Sequence, residues 1–384
     1  MGRFLVGVLV AVLAIWGYDR VFGDGPSTQA QGSGNPFVDG KSSGVADPTR
    51  PSEGAKANLL TDSGEGKEVP STPAADDGSL GAHGSLAELA GMAGAERDRM
   101  LASLRRRLSS SSTLDERLAV LGPDNGFLRS PEGRAAAVEV ADWIAGREPW
   151  DAVRGSTRLL ELVTSGRIGK EDVEAVATFE TLKGRHDTLV RRTVFDPADL
   201  TGAQRYVVGS GESLTAIARK QSKALGVKLQ TGTLQLVNRI SNPNVIREGQ
   251  VIKIPVQPVH AVLFKSAFVL GVYVGDVMVR AYRCAHGKEG HETPEATFAI
   301  GETVERPDWH YNGESIAYGD PRNPLGSHFV KFLHESYSGF GAHGTNEPDT
   351  IGTQASLGCI RMGAEDIIEF ASFMPRGTEV VVHR

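Results

Sequence analysis

The chain has 384 residues, enough for two or three domains. Its formal net charge is −6, and the charged residues (23% of the chain) form no long basic run, so nucleic acid is not an expected partner. Only two cysteines occur, Cys284 and Cys359, which excludes a disulfide framework and a cysteine-rich zinc site. We expect Cys284 to be a reduced, buried thiol on a strand.

The N-terminal residues 4–18 are almost wholly apolar, with Arg3 before them and Arg20 after them. Such a run predicts export. It is shorter than the roughly 20 residues of a membrane span, which favours a cleaved signal. No small-x-small cleavage site follows closely, which favours an uncleaved anchor. We assign residues 1–22 to this membrane or signal segment and prefer the anchor. Residues 23–84 are rich in Gly, Ser and Pro and predict a disordered linker.

Residues 85–203 predict an α-helical domain. Leu86, Leu89 and Met92 begin a series of apolar residues at helical spacing. Further helices are expected over residues 131–146, 150–165 and 170–183, because glycine and proline punctuate the sequence between them. The acidic residues of this region have no metal-ligand spacing with a histidine. A structural role and a partner-docking role both remain open.

Residues 205–256 predict a strand, two helices and a second strand, with a connection over residues 222–232 between the helices. This βααβ order, with Gly-Glu-Ser-Leu at 211–214, resembles a LysM module, a small fold that recognises N-acetylglucosamine-containing glycans. The resemblance implies a glycan groove between two loops. Its candidate residues are Gly211, Glu212, Ser213, Leu214, Asn242, Val245 and Ile246. The alternative is a βααβ spacer that binds nothing, and the long connection leaves the geometry of the groove open.

Residues 259–384 predict a mostly antiparallel β-sandwich or barrel-like domain. Apolar, β-branched runs such as 267–274 are typical of buried strands, and Val274-Gly275-Asp276 is a hairpin signal. One helix is expected over residues 364–373. The fold class predicted for the whole chain is therefore multidomain.

The C-terminal domain places His343, Cys359 and Arg361 within about twenty residues, with a glycine beside each of the first two. A thiol becomes a good nucleophile only as a thiolate, and an imidazole nearby can lower its pKa. Arg361 offers a fork of donors that suits a carboxylate or an oxyanion, or that holds a loop. We therefore expect covalent catalysis by Cys359, and no metal or cofactor.

The order His-Gly-Thr at 343–345, then Ser-Leu-Gly-Cys-Ile-Arg-Met at 356–362, resembles the YkuD-type L,D-transpeptidases. Thr-Pro-Glu-Ala-Thr-Phe at 293–298 and Asn-Pro-Leu-Gly at 323–326 come before it in the order typical of the family. Ala296 and Leu357 depart from the usual pattern. The resemblance implies Cys359 as nucleophile, His343 as the general base that also stabilises the thiolate, and the Gly344 carbonyl as the group that orients the imidazole. Oxyanion or substrate contacts are expected from Gly358, Arg361, Ser356 and Thr345.

The resemblance further implies that the enzyme cross-links peptidoglycan stem peptides by 3→3 links through a thioester. Water or a protein amine as acceptor would instead make it an L,D-carboxypeptidase or a protein-to-wall ligase. A non-catalytic wall-binding scaffold is a further alternative. A papain-like hydrolase is disfavoured because there the cysteine precedes the histidine. The expected partners are the stem peptides and glycan strands of peptidoglycan, and the membrane through the N-terminal segment. The expected location is the bacterial cell envelope, outside the cytoplasm.

Overall fold

The structure is a computed structural model that describes residues 84–383. The expected membrane or signal segment (1–22) and all but the last residue of the expected linker (23–84) lie outside those residues. Among the helices of residues 84–383, none is both long enough and apolar enough to cross a bilayer.

The first part of the described chain is helical, as predicted. Two of its helices start with local caps. Thr113 forms a reciprocal capping box with Glu116, and Ser130 accepts the Gly133 N–H one residue before Pro131. The third expected helix, at 170–183, starts later and continues to Arg192, because a buried stripe that includes His186 and Val190 extends it. The helices are α1 (Gly94–Ser110), α2 (Leu114–Leu121), α3 (Pro131–Ala145), α4 (Pro149–Thr164) and α5 (Val173–Arg192).

The next part has the predicted βααβ order. Strands β1 (Ala203–Val207) and β2 (Val251–Pro255) pair antiparallel, and helices α6 (Leu214–Leu225) and α7 (Thr231–Asn238) lie between them in the chain. The long connection expected over 222–232 is wrong. Helix α6 continues to Leu225 and ends at Gly226, whose φ of +69° gives the left-handed cap that favours glycine. Only residues 226–230 separate the two helices.

The C-terminal part is a closed, barrel-like sheet, one of the two predicted forms. The strands of this part are β3 (Val259–Phe264), β4 (Val269–Val274), β5 (Val277–Gly287), β6 (Thr297–Glu305), β7 (Trp309–Tyr311), β8 (Glu314–Ile316), β9 (His328–Leu333), β10 (Gly341–His343), β11 (Gln354–Ser356), β12 (Ile360–Met362) and β13 (Glu379–His383). Eight of them form the ring in the order β5-β12-β10-β9-β6-β13-β3-β4, and β4 pairs with β5 to close it. Most neighbours are antiparallel, but β10–β12, β13–β3 and β11–β5 are parallel.

Helix α8 (Ala364–Phe373) follows β12 and has the predicted bounds. Cys284 is fully buried on β5 and unbridged, as expected for a structural thiol. The buried apolar side chains of α1–α5 and of the barrel belong to one hydrophobic cluster, whereas the βααβ part has a small core of its own. The helical region and the barrel therefore share a core.

Candidate active site

Two short parallel strands bring the candidate histidine and cysteine together. His343 ends β10 and lies in register with Arg361 on β12. Cys359 directly precedes β12, so strand alternation gives it the same face as Arg361. With a rise of about 3.3 Å per residue and about 4.8 Å between strands, the Cα atoms of His343 and Cys359 lie about 8 Å apart. Side chains on a shared face can meet across that spacing.

His343 is buried, and its ring has a defined orientation. The Nδ1 atom lies 2.6 Å from the Gly344 carbonyl oxygen, so Nδ1 carries the proton and donates it. This is the carbonyl that the sequence predicted for the role. Burial lowers the pKa of His343 to about 4; the Gly344 carbonyl opposes that shift and the Arg361 charge adds to it. The imidazole is therefore neutral at pH 7, with its Nε2 lone pair able to accept a proton.

Cys359 is a thiol, not a thiolate, in the resting site. Burial raises its pKa to about 11, while the Gly341 backbone and the Arg361 charge lower it by less. Its side chain keeps partial exposure, and Sγ donates to the Gly339 carbonyl oxygen at 3.5 Å. Within residues 84–383 no hydrogen bond joins Cys359 to His343. Burial disfavours the charged form of both groups and so opposes the expectation that the imidazole makes this thiol acidic at rest, which stays a prediction.

Ser356 holds the turn that carries the cysteine. Its hydroxyl donates to the Cys359 carbonyl oxygen at 2.6 Å and accepts the Gly358 N–H at 3.1 Å. Both the Ser356 hydroxyl and the Gly358 N–H, which the sequence predicted as oxyanion or substrate contacts, are therefore committed to the turn. The turn requires glycine at 358, since φ is +118° and an added Cβ would lie 2.7 Å from a ring carbon of Phe340.

Thr293 holds the same turn from the opposite side, and the sequence analysis did not place it in the site. Its hydroxyl donates to the Gly358 carbonyl oxygen at 2.7 Å and accepts the Gly287 N–H at 3.1 Å. The side chain is 1% exposed, so both bonds are shielded from water. The available signal was the Thr-Pro pair at 293–294, which we used only as a family landmark.

The sequence left two roles open for Arg361, binding a carboxylate or oxyanion and holding a loop. The contacts of its side chain fit the second role. Its Nη1 lies 2.5 Å from Oε2 of Glu347, and Thr345 accepts the Glu347 N–H through its hydroxyl at 3.0 Å. Arg361 and Thr345 therefore fix the loop that follows β10. The Nε of Arg361 is buried and has no hydrogen-bond partner among residues 84–383.

Part of the predicted glycan groove is structural. Leu214 is 1% exposed and belongs to the core of the βααβ part, and Ser213 caps α6 by accepting the Ala216 N–H. Glu212 accepts hydrogen bonds from the Gly209 N–H, the Tyr206 hydroxyl and Lys220, and the first of these does most to lower its pKa to about 2. These three side chains hold the loop, and their expected contacts with a glycan stay a prediction.

The remaining groove residues are better placed for a ligand. Gly211 is exposed with φ +71°, and Val245 is 62% exposed. Asn242 is exposed and accepts the Asn244 N–H through Oδ1, which starts the short turn Pro243–Val245. That turn packs against α6, the helix that begins directly after residues 211–213. Ile246 is partly buried against the core.

A metal centre is not visible in the described part of the chain, where no three His, Cys, Asp or Glu side chains are grouped to hold an ion.

Two regions of the chain match known protein domains. The profile of the L,D-transpeptidase catalytic domain matches residues 258–382, and that of the LysM domain matches residues 206–255. The YkuD protein of Bacillus licheniformis, which is named as an L,D-transpeptidase, is 30% identical over 188 residues, covering 46% of this chain and 97% of that protein. YkuD of Bacillus subtilis is also 30% identical, covering 47% and 98%. The chain belongs to the L,D-transpeptidase family.

Two further L,D-transpeptidases extend the comparison. YqjB of Bacillus subtilis, named in the same way, is 31% identical over 125 residues, covering 32% of this chain and 70% of that protein. A solved L,D-transpeptidase from Mycobacterium smegmatis is similar over 35% of this chain and 64% of that chain, at 19% identity and a TM-score of 0.29. The catalytic-domain match contains His343, Cys359 and Thr293, and the LysM match contains the predicted groove. Neither match covers α1–α5.

Proposed function

We propose that this protein cross-links peptidoglycan stem peptides by 3→3 links, with Cys359 as the nucleophile. One observation carries the proposal: the His343 ring is neutral, its Nδ1–H is held by Gly344, and it lies on a strand in parallel register with the strand that Cys359 precedes. A neutral imidazole held in one tautomer is the state that a general base requires.

The first half-reaction transfers the acyl group to sulfur. Sγ of Cys359 attacks the carbonyl carbon of the third stem residue while its proton passes to Nε2 of His343. The tetrahedral oxyanion collapses, the bond to the terminal D-alanine breaks, and the leaving amine takes the proton from His343. This leaves a thioester and free D-alanine. Because both groups are neutral at rest, charge forms only as the substrate reacts.

The second half-reaction releases the enzyme. An amine from another stem attacks the thioester carbonyl and gives a proton to His343, and the departing Cys359 sulfur is protonated from the same ring. The product is an amide cross-link. Water in place of the amine gives L,D-carboxypeptidase activity, and a protein amine gives ligation to the wall.

Backbone groups supply the charge stabilisation in this mechanism. The Gly341 backbone stabilises the Cys359 thiolate, so it favours the charge that develops on sulfur. The Gly358 N–H is already bonded to Ser356, and we therefore assign the oxyanion to the N–H of Cys359. A single well-aimed donor of this kind accounts for about 10²–10³ in kcat.

The LysM module would bind the enzyme to the glycan strands of peptidoglycan. We propose that glycan strands bind between Gly211 and the turn Pro243–Val245, because both carry exposed residues and the turn packs against α6, which follows the Gly211 loop. The partners are then the stem peptides and glycan strands of peptidoglycan, and the location is the cell envelope outside the cytoplasm. The proposed membrane anchor at residues 4–18 and its cleavage remain predictions about residues outside the described range.

The decisive experiment uses the full chain with a disaccharide tetrapeptide and follows products by mass spectrometry. We expect D-alanine release with dimer formation, and a covalent adduct of a carbapenem on Cys359. Cys359→Ala should abolish both, whereas Cys284→Ala, which changes the buried thiol, serves as the matched control. Hydrolysed tripeptide without dimer would identify a carboxypeptidase. Absence of every product and of the adduct would leave the scaffold function.

A second experiment asks whether the LysM module binds. The full chain and a Val245→Asp variant are sedimented with insoluble peptidoglycan. We expect the variant to lose most binding, because a charge would face the predicted groove. Equal sedimentation of the two proteins would argue for a spacer that binds nothing at this site.

A further inference from the structure

The helical region is firmly attached to the catalytic barrel. Besides the shared hydrophobic core, polar contacts link α4 to strands β4 and β5. The Thr157 hydroxyl accepts the Met278 N–H at 3.3 Å, and Tyr273 donates to Glu161 at 3.2 Å. A buried core with hydrogen bonds across it predicts a fixed arrangement and not a flexible pair of domains.

The same helical region also holds the LysM module, through the C-terminal end of α5. Arg239 of the module donates through Nε to the Phe195 carbonyl at 2.6 Å and also bonds the Arg191 carbonyl. Lys253, only 2% exposed, donates to the carbonyls of Thr193 at 3.1 Å and of Asp196 at 3.0 Å. Carbonyls at and just beyond a helix C-terminus carry partial negative charge and lack partners within the helix, so two cations from the module satisfy them.

A third contact joins the LysM module to the barrel directly. Helix α7 packs against α8, and the Thr233 hydroxyl donates to the Phe373 carbonyl at 2.9 Å. Gln230 donates to the carbonyls of Ala371 and Ser372. The helices approach so closely at Gly232 that an added Cβ would lie 2.0 Å from the Ser372 carbonyl oxygen. Only a glycine allows this contact.

We propose that α1–α5 and the α7–α8 contact together fix the LysM groove at one distance and orientation from Cys359, and that the enzyme consequently selects polymerised glycan strands long enough to reach both sites. The inference rests on the proposed function and deepens it. A module on a free tether would raise the local concentration of any bound strand gradually with its length. A fixed module raises the local concentration at Cys359 only for strands long enough to span the fixed distance between the LysM groove and Cys359.

The experiment measures kcat/KM on purified glycan strands of defined length that carry tetrapeptides. The full chain should show low, constant activity on short strands and a stepwise rise of about 10²-fold once a strand spans both sites. Gly232→Ala should convert the step into a gradual rise, because its Cβ pushes α7 away from α8. Gly184→Ala is the matched control: it also adds a methyl group to a helix, but nothing lies within 4 Å of the added atom.

A second variant keeps the proposal testable if Gly232→Ala does not fold. Arg239→Asn removes the guanidinium from the α5 carbonyls, and asparagine tolerates the left-handed backbone at this position, where φ is +53°. Hydrogen exchange in α7 and α8 reports loosening of the contact, and sedimentation with peptidoglycan reports retained LysM binding. We expect faster exchange and loss of the step in both variants.

Three results would overturn the proposal. One is a wild-type kcat/KM that shows no stepwise rise with strand length. Another is a stepwise rise that persists in a variant whose hydrogen exchange shows the contact to be loosened. The third is unchanged exchange in both variants, since the contacts named here would then not fix the module. Activity on the disaccharide tetrapeptide separates these failures from failure of the proposed function, because that substrate is too short to reach the LysM groove and Cys359 at once. A chain inactive on it as well loses both proposals.

Discussion

The resting state of Cys359 can be tested by alkylation. With its pKa raised to about 11, about one thiol in 10⁴ is ionised at pH 7, against about one in 10² at the ordinary value of about 9. The more basic thiolate is the better nucleophile, which recovers about tenfold of that loss. We therefore expect Cys359 to react with iodoacetamide about tenfold more slowly than an unperturbed cysteine at pH 7.

The assay follows alkylation of Cys359 by mass spectrometry between pH 5 and pH 11 in the absence of substrate. The rate should rise with pH throughout and show no plateau below pH 9. Cys284 is an internal control, since complete burial raises its pKa to about 12 and leaves it unreactive. Cys359→Ala shows how much modification occurs elsewhere.

A preformed thiolate–imidazolium pair would behave differently. The rate would reach a plateau between pH 5 and pH 8, and His343→Gln would abolish that plateau. Such a result would refute the neutral resting pair and restore the acidic thiol expected from the sequence. With the neutral pair, His343→Gln leaves the alkylation profile almost unchanged but removes turnover, because in the proposed mechanism the ring takes the thiol proton during attack and then gives protons to the leaving groups.

Three further outcomes follow from the contacts of the turn and the LysM loop. Thr293→Val keeps the shape of the side chain but leaves the Gly287 N–H and the Gly358 carbonyl unpaired, so urea unfolding should show a loss of about 2–4 kcal/mol together with a lower kcat. Gly358→Ala should lower kcat further, because it combines backbone strain of about 1–3 kcal/mol with a collision against Phe340, and carbapenem adduct formation should slow in parallel. Glu212→Gln should lower the thermal midpoint at pH 7. The wild-type carboxylate has a lowered pKa, so its contribution is complete above about pH 4.5 and disappears as the pH falls towards 2; the two midpoints should therefore converge in acid.

Local patterns were the part of the fold that the sequence predicted well. Helix α8 has the predicted bounds, and the βααβ order follows from apolar periods and turn residues that act over a few positions. The candidate nucleophile Cys359 and the candidate base His343 were also recognisable, because each stands beside a glycine in a short motif. Their assigned roles remain predictions until the assays above are performed.

Contacts between distant parts of the chain were not predictable in the same way. Thr293 reaches Gly358 across 65 residues, and only the closed sheet brings them together. The extension of α5 beyond Lys183 depends on burial against the barrel, which no window of the sequence contains. The pKa values of His343 and Cys359 depend on burial by several strands, so the sequence could propose these two groups as the reactive ones but could not predict their charge.

Burial explains why a neutral pair suits this site. Desolvation lowers the pKa of the imidazole and raises that of the thiol, so both shifts oppose the same ion pair. In the proposed mechanism, the free-energy cost of forming that ion pair is therefore offset only when a substrate carbonyl is present to accept the sulfur and backbone donors are aimed at the developing charge. The geometry of the turn then matters more for turnover than the acidity of the thiol. The hydroxyls of Ser356 and Thr293 bond the backbone of the turn and so fix the orientation of the Cys359 sulfur and of the Cys359 N–H. On this reasoning, loosening either hydroxyl contact should reduce turnover more than it reduces the resting reactivity of Cys359 towards iodoacetamide.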